Sequence, residues 1–279
     1  MLVDFHTHTT ASDGTFTPQQ LVDEMQKKTI EYFSITDHDT IDGVKAIKHI
    51  PHGVQFITGV EISAEFPKTL HILGYGFDPD NQELNDSLDE LQAFRKNRNA
   101  QMIEKMKEIG FEITMDELIR EAGSDLVGRP HFANLFLNKG YCKSYQEAFD
   151  KYLKKGAPLY MNKKRLAPDK AIELIHKAGG IAVMAHPYQT KLEGEALKGL
   201  VEQLVSCGLD GIEVYYSQHT LEQVDDYQKI ALKYNLMATA GSDFHGSNKP
   251  DIPLGMYLSD TDIAEFISFV QEKARDEHG

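Results

Sequence analysis

Short apolar runs that end abruptly in histidine and carboxylate recur along this chain, and they restrict the folds open to it. Residues 1–5 (MLVDF) run into His6-Thr7-His8 and Asp13, residues 32–35 (YFSI) into Asp37-His38-Asp39, and residues 236–240 (LMATA) into Asp243-Phe244-His245. Such short runs have the length of strands rather than helices. Barrel-type α/β proteins build their active sites at the C-terminal ends of parallel strands. Imidazole and carboxylate without thiolate is the donor set of manganese, iron or zinc at a hydrolytic site.

The segments between the runs read as helices. Residues 18–28 follow Thr17 as N-cap, with Pro18 at the first helical position and Gln20 placed for a capping box. Strands at 32–35, 54–60, 70–75, 181–185, 211–215 and 236–240 alternate with helices at 41–50, 168–178, 192–207, 221–234 and 260–275. This alternation implies parallel strands joined by crossover helices. Between residues 80 and 165 it stops. There Leu84, Leu88, Leu91, Phe94, Met102, Met106 and Ile109 recur at helical spacing as far as Gly110, and helical segments at 115–121, 130–137 and 145–153 follow. The expected architecture is an α/β, distorted seven-stranded (β/α)7 TIM-like barrel from residues 1–79 and 166–279, with 80–165 as a helical insertion over the active site.

A hydrophobic fraction of 41% supports a real core, and no apolar stretch approaches the ~20 residues of a membrane span. Met1-Leu2-Val3-Asp4 leads straight into the first histidines, which is not the pattern of a cleaved signal peptide. Cys142 and Cys207 make no disulfide framework, read as structural, and fit a reducing cytoplasm. A net charge of -14 argues against nonspecific duplex binding by the whole surface. Residues 80–165 carry 15 Lys+Arg against 14 Asp+Glu, while the remainder carries 14 against 29. An acidic body with a basic-enriched middle suits an enzyme that concentrates cations and clamps an anion; salt-bridged helices are the plainer account. The absence of GxxxxGK[ST] and GxGxxG patterns argues against nucleoside-triphosphate or dinucleotide chemistry.

His6 and His8, two apart on an extended segment, point to one face and can grip one ion. Asp13 lies in a turn-like Ala-Ser-Asp-Gly sequence. Asp37 or Asp39 is placed to orient His38, although Asp39 also suits a cap for the helix near Ile41. Glu61 ends an apolar strand, where a carboxylate is costly unless paired or metal-bound. His71 sits inside an apolar strand, His186 ends one, and Asp243 with His245 repeats the N-terminal spacing. Any one of these is ordinary by itself; their joint placement at strand ends points to a metal-dependent hydrolase. His49, His52, His176, His219 and His278 scatter through helices and loops and receive no metal role.

His-Thr-His with Ser-Asp-Gly, Thr-Asp-His-Asp, Gly-Val-Glu-Ile-Ser, His-Ile-Leu-Gly-Tyr, Ala-His-Pro and Gly-Ser-Asp-Phe-His appear in that order along nearly the whole chain. The set resembles the polymerase-and-histidinol-phosphatase (PHP) family. Gly128-Arg129-Pro130-His131 in the insertion is similar to the bacterial branch of 3',5'-nucleoside bisphosphate phosphatases and related 5'-to-3' exoribonucleases. The resemblance implies three divalent ions, manganese before iron or zinc. His6, His8, Glu61 and Asp243 would hold the first, Glu61 with His71 and His186 the second, and Asp13, His38 and His245 the third. His131 is an alternative to His186 in the second set.

The chemistry expected of such a centre is in-line attack on phosphorus by a metal-bridging hydroxide. Arg129 and His131, at the start of a helix, are expected to bind a substrate phosphate, with His131 also a candidate catalytic proton donor. Arg95 and Arg98 share a helical face and suit a second phosphate, unless they form a solvated basic face. The expected substrate is a small nucleotide with two phosphates, such as adenosine 3',5'-bisphosphate, and by extension short single-stranded RNA. Histidinol phosphate and a non-catalytic metal-binding module are the competing readings.

Overall fold

The computed structural model describes residues 1–122, 127–162 and 164–276. Contacts divide the chain into two units, Met1–Leu88 with Arg165–Gly279, and Asp89–Lys164. The first is built on β1 (Leu2–Asp4), β2 (Tyr32–Ile35), β3 (Gln55–Ser63), β4 (His71–Tyr75), β5 (Ile181–Met184), β6 (Gly211–Tyr216), β7 (Met237–Gly241) and β8 (Met256–Tyr257). In chain order the helices are α1 (Pro18–Lys27), α2 (Asp42–Lys45), α3 (Gln82–Glu108), α4 (Met115–Ala122), α5 (Arg129–Asn138), α6 (Tyr145–Ala148), α7 (Pro168–Lys177), α8 (Gly194–Ser206), α9 (Leu221–Tyr234) and α10 (Ala264–Asp276).

One sheet runs β7-β6-β5-β4-β3-β2-β1-β8. Its two ends approach each other: Phe5 N–H donates to Ala240 O at 3.1 Å and Asp243 N–H to His6 O at 2.8 Å, giving a nearly closed barrel. The expectation of seven strands is corrected to eight. The extra strand, Met256–Tyr257, lies antiparallel on β1 and at two residues is too short to announce itself in a hydrophobic pattern.

A second correction concerns direction. β1–β2, β2–β3, β5–β6 and β6–β7 are parallel, but β4 is antiparallel to both β3 and β5. The link between β3 and β4 is too short for a crossover helix, which needs a dozen residues or more, so the chain turns back on itself. The reversal has a consequence for chemistry. The first residue of β4, His71, pairs with Ser63 at the last of β3, so it stands at the rim where the parallel strands end.

The flanking elements follow local chemistry. Thr17 caps α1, accepting from Gln20 N–H while the Gln20 side chain takes Thr17 N–H, and Thr220 with Gln223 repeats the arrangement on α9. α1 buries Leu21, Val22 and Met25 against Leu2, Phe33 and Ile35. α7, α8 and α9 press Ile175, Val201 and Ile230 onto Ile72, Met184 and Val214. From α10, Phe266, Ile267 and Val270 pack with Val3, Phe5, Leu73 and Val183, and the Phe5 and Phe266 rings meet edge-on at 4.8 Å. Each such side chain contributes roughly 1.5–3 kcal/mol on burial.

The second unit has its own core, in which Met102, Met106, Phe132, Phe136 and Leu153 are buried. Its expected helix at 145–153 is α6 continued as a π-helical turn, Phe149–Leu153. Among the described residues no helix is long and apolar enough to cross a membrane.

Candidate metal centre

Strand ends carry the ligand candidates to one rim. β1 stops at Asp4, and the chain continues extended through Thr7, which bridges Phe244, so His6 and His8 both face inward. His38 follows β2 and bridges Glu61. His186 and Asp243 follow β5 and β7 with φ of 25° and 61°, left-handed values costly for side chains other than glycine. Glu61 lies inside β3 and does not end it, since that strand continues to Ser63. A close approach of β7 to β1 depends on Gly241, where a Cβ would lie 2.1 Å from that of His6.

Glu61 is the hub. It is fully buried, with Oε1 2.7 Å from His71 Nδ1 and 2.8 Å from His186 Nε2. Its Oε2 is 2.8 Å from His38 Nδ1 and 3.4 Å from both His6 Nε2 and His8 Nε2. Asp243 Oδ1 lies 3.1 Å from His8 Nε2 and 3.7 Å from His6 Nε2. Asp13 Oδ1 approaches His245 Nε2 at 3.2 Å, and its Oδ2 approaches His38 Nε2 at 3.8 Å. Four overlapping groups have ligand atoms within 4.8 Å of one another: His8-Asp13-His38-His245, His6-Glu61-His186, His6-His8-Asp243 and His38-Glu61-His71. All nine side chains selected from the sequence therefore come together, with His8 joining the Asp13 set and His6 shared between two sets.

Protons alone leave this cluster unsatisfied. Burial opposes charge on Glu61, but His38, His71 and His6 hold it well below the usual carboxylate range. Burial likewise opposes charge on His38, yet Glu61 and Asp13 lift it to about 9. His6 is held well above its ordinary value by Glu213 and Glu61 against burial, whereas burial with His245 and His38 nearby pushes His8 well below. Burial takes His71 down to about 4. Neighbouring imidazoles are thus driven in opposite directions. His6 Nε2, His8 Nε2 and His186 Nδ1 are buried without a hydrogen-bond partner, and His38 Nδ1 and Glu61 Oε2 face each other at 2.8 Å without hydrogen-bond geometry. Divalent cations fit this donor set, because they satisfy lone pairs and carboxylates together.

Supporting residues were less visible in sequence. Asp37 does not turn to His38: it accepts from Thr9 N–H and Thr9 Oγ1–H at 2.7 Å each and from Ser12 Oγ–H at 2.5 Å, bracing the loop before Asp13. Asp39 accepts from Ser63 N–H at 2.7 Å, while the α2 N-cap position is Ile41. Glu213 Oε1 lies 2.9 Å from His6 Nδ1, and Tyr216 donates to Asp243 Oδ2 at 2.7 Å. Three residues apart on β6, Glu213 and Tyr216 would face opposite ways in a regular strand. A register shift between Glu213 and Tyr215 turns both toward the cluster. Lys249, with its side chain 38% exposed, places Nζ 2.6 Å from Asp243 Oδ2. The signal available for Glu213 resembled the one that marked Glu61, a carboxylate beside apolar strand residues.

The remaining selected residues belong to the second unit. Arg95 and Arg98 on α3 are 9% and 6% exposed, which rules out a solvated basic face. Arg98 donates to Asn99 Oδ1 at 2.8 Å and to Val127 O at 3.4 Å, and burial with Arg95 and Arg129 nearby lowers it to about 10. Arg129 opens α5, donates to Leu153 O at 3.4 Å and lies over the Tyr160 ring at 5.1 Å. His131 Nδ1 accepts Gly128 N–H at 3.0 Å, so the neutral ring carries its proton on Nε2. Of the histidines given no metal role, His176 pairs with Asp210 and His219 Nδ1 lies 2.9 Å from Val214 O; His278 lies outside the described residues.

Comparison with known proteins adds to this geometry. A 5'-3' exoribonuclease of Haemophilus influenzae is 32% identical over 247 residues, covering 87% of this chain and 89% of that protein. A 3',5'-nucleoside bisphosphate phosphatase of Chromobacterium violaceum is 31% identical over 247 residues, covering 87% of each. A solved structure described as an amidohydrolase from Chromobacterium violaceum with bound sulfate and no metal superposes with a TM-score of 0.83 at 28% identity, covering 97% of this chain and 96% of that one. Residues 4–234 match the PHP domain. The chain belongs to the PHP family and is a metal-dependent phosphoesterase.

Proposed function

We propose that the protein hydrolyses the 3'-phosphate of nucleoside 3',5'-bisphosphates, with 5'-to-3' exonuclease action on short 5'-phosphorylated RNA as an extension of the same chemistry. The nine clustered side chains are read as its cation ligands, with Glu61 shared between cations, three ions in all and manganese the native metal. When bound, divalent ions supply Lewis acidity and lower the pKa of water, so that a nucleophile is available near neutrality. The chain's own groups do the rest. Glu61, Asp13 and Asp243 concentrate cations, and Lys249 brings a partly exposed ammonium to the phosphoryl group. His131, with its hydrogen on Nε2, offers that N–H as a hydrogen-bond donor to the leaving oxygen, which takes its proton from water. Phosphate ester cleavage needs little beyond such positioning and charge neutralisation.

The observation that carries the choice of a two-phosphate substrate is the cationic group made by buried Arg95 and Arg98 with half-buried Arg129. Neighbouring guanidinium groups repel one another, an anion bound among them offsets that repulsion, and a bidentate fork suits phosphate. The relative named 3',5'-nucleoside bisphosphate phosphatase supports the same reading. The test compares turnover of adenosine 3',5'-bisphosphate, histidinol phosphate and a short 5'-phosphorylated RNA by the manganese-loaded protein. Preference for the bisphosphate is expected. Preference for histidinol phosphate rejects the proposal, and metal uptake without hydrolysis of any of the three rejects it in favour of a binding module.

A further inference from the structure

Glu213 touches two ligand candidates on different strands and is itself outside every candidate ligand group. It is fully buried on β6. One carboxylate oxygen, Oε1, lies 2.9 Å from His6 Nδ1; the other, Oε2, accepts His186 N–H at 2.7 Å. A carboxylate only accepts, so the His6 proton belongs on Nδ1 and the lone pair on Nε2. That Nε2 has no hydrogen-bond partner and points among Glu61 Oε2 and Asp243 Oδ1, at 3.4 and 3.7 Å. Only a His6 protonated on Nδ1 can offer Nε2 to a cation.

We propose that Glu213 is a positioning residue that sets the tautomer and ring orientation of His6 and thereby decides whether the two His6-containing sites hold metal. This rests on reading the clustered side chains as metal ligands. Carboxylates behind ligating imidazoles commonly tune affinity in this way. Here the second oxygen makes the arrangement stricter. The His186 amide is a permanent donor and holds Oε2, so Oε1 is free for His6 alone. Glu213 also ties His186, two residues beyond β5, to His6, two beyond β1, and both belong to the His6-Glu61-His186 group.

The substitution that tests this is Glu213→Gln, nearly identical in shape. Its amide has one oxygen and one NH2. With the oxygen on His186 N–H, the NH2 faces His6 Nδ1, which can accept only if the His6 proton moves to Nε2, where it blocks a cation. With the amide reversed, NH2 meets His186 N–H. Every arrangement that leaves His6 Nε2 bare sets two donors against each other. Glu213→Asp is shorter and packs worse, but it remains an acceptor-only carboxylate.

Manganese content and affinity are measured on the purified chain for wild type, Glu213→Asp and Glu213→Gln, with melting temperature as the folding control. Expected is roughly a ten- to hundredfold loss of affinity at one or more sites in Glu213→Gln, a smaller loss in Glu213→Asp, and retention at the His8-Asp13-His38-His245 group. A role in packing alone predicts the opposite order, with Gln retaining more metal than Asp, and that order overturns the proposal. A second measurement does not depend on either variant folding. In the zinc-loaded wild type, 15N histidine spectra should show His6 protonated on Nδ1 with Nε2 bound to metal. Binding through Nδ1 overturns the proposal. Wild type that takes up no divalent cation overturns the metal-centre reading itself; wild type that loads while Glu213→Gln loads equally well overturns the Glu213 role alone.

Discussion

His186 Nε2 lies 2.8 Å from Glu61 Oε1, on the same oxygen that His71 approaches at 2.7 Å. The alternative ligand, His131, has its Nδ1 engaged with the Gly128 amide at the start of α5. The two histidines are therefore expected to respond differently to removal. His186→Ala is expected to lower manganese content and abolish hydrolysis. His131→Ala is expected to keep wild-type metal content while kcat falls by about 10²-fold or more, the usual contribution of a positioned hydrogen-bond donor at an oxygen that gains charge. Metal analysis beside steady-state kinetics reads both, and a metal loss in His131→Ala with none in His186→Ala reverses the assignment.

Arg98 is expected to discriminate by the number of phosphates. Replacing it with Met removes one charge-assisted phosphate contact, worth roughly 1.5–3 kcal/mol, or about ten- to a hundredfold in kcat/KM. The loss should appear with adenosine 3',5'-bisphosphate and be absent with adenosine 3'-monophosphate. Equal losses on the two substrates would show that Arg98 only supports the fold.

Lys249 shares Asp243 Oδ2 with the Tyr216 hydroxyl. Asp243 therefore keeps a donor when the lysine is removed. Lys249→Met is expected to raise KM and the inhibition constant of inorganic phosphate by about tenfold, near 1.4 kcal/mol, with metal content unchanged. An unchanged phosphate inhibition constant would remove Lys249 from substrate binding.

Gly241 has no room for a methyl group. A Cβ there meets His6 Cβ at 2.1 Å and His6 N at 2.7 Å, so β7 and β1 must separate. Gly241→Ala should cost on the order of 3 kcal/mol, the upper part of the range for overpacking, and lower metal content as His6 shifts. Thermal denaturation and metal analysis check both, and a wild-type melting temperature would contradict the closeness of the two strands.

Metal uptake should depend on pH in one direction. Burial opposes a proton on His38, but Glu61 and Asp13 raise its pKa to about 9, so the metal-free protein holds that proton at neutrality. A cation must displace it, because ligation requires the neutral ring. Manganese affinity is therefore expected to rise as pH approaches about 9, and binding should release protons. Calorimetry in buffers of different ionisation enthalpy measures the release; an affinity independent of pH would falsify this account.

How much was legible in the sequence depended on how local the determining physics was. Ligand chemistry admits few residue types and barrels deliver them at strand ends, so His6, His8, Asp13, His38, Glu61, His186, Asp243 and His245 stood out as ligand candidates at the ends of short apolar runs, and His71 as a candidate within one. Caps such as Thr17 with Gln20 span three residues and were equally plain. The direction of β4, the two-residue β8 and the orientation of Tyr216 were not. Each depends on a hydrogen-bonding partner distant in sequence: β4 on β5, β8 on β1, and β6 on a register shift against β7. Glu213 shows the division most sharply. Its residue type was visible, but its task is assigned by a histidine 207 positions away, and only the closing of the sheet brings those two side chains to 2.9 Å.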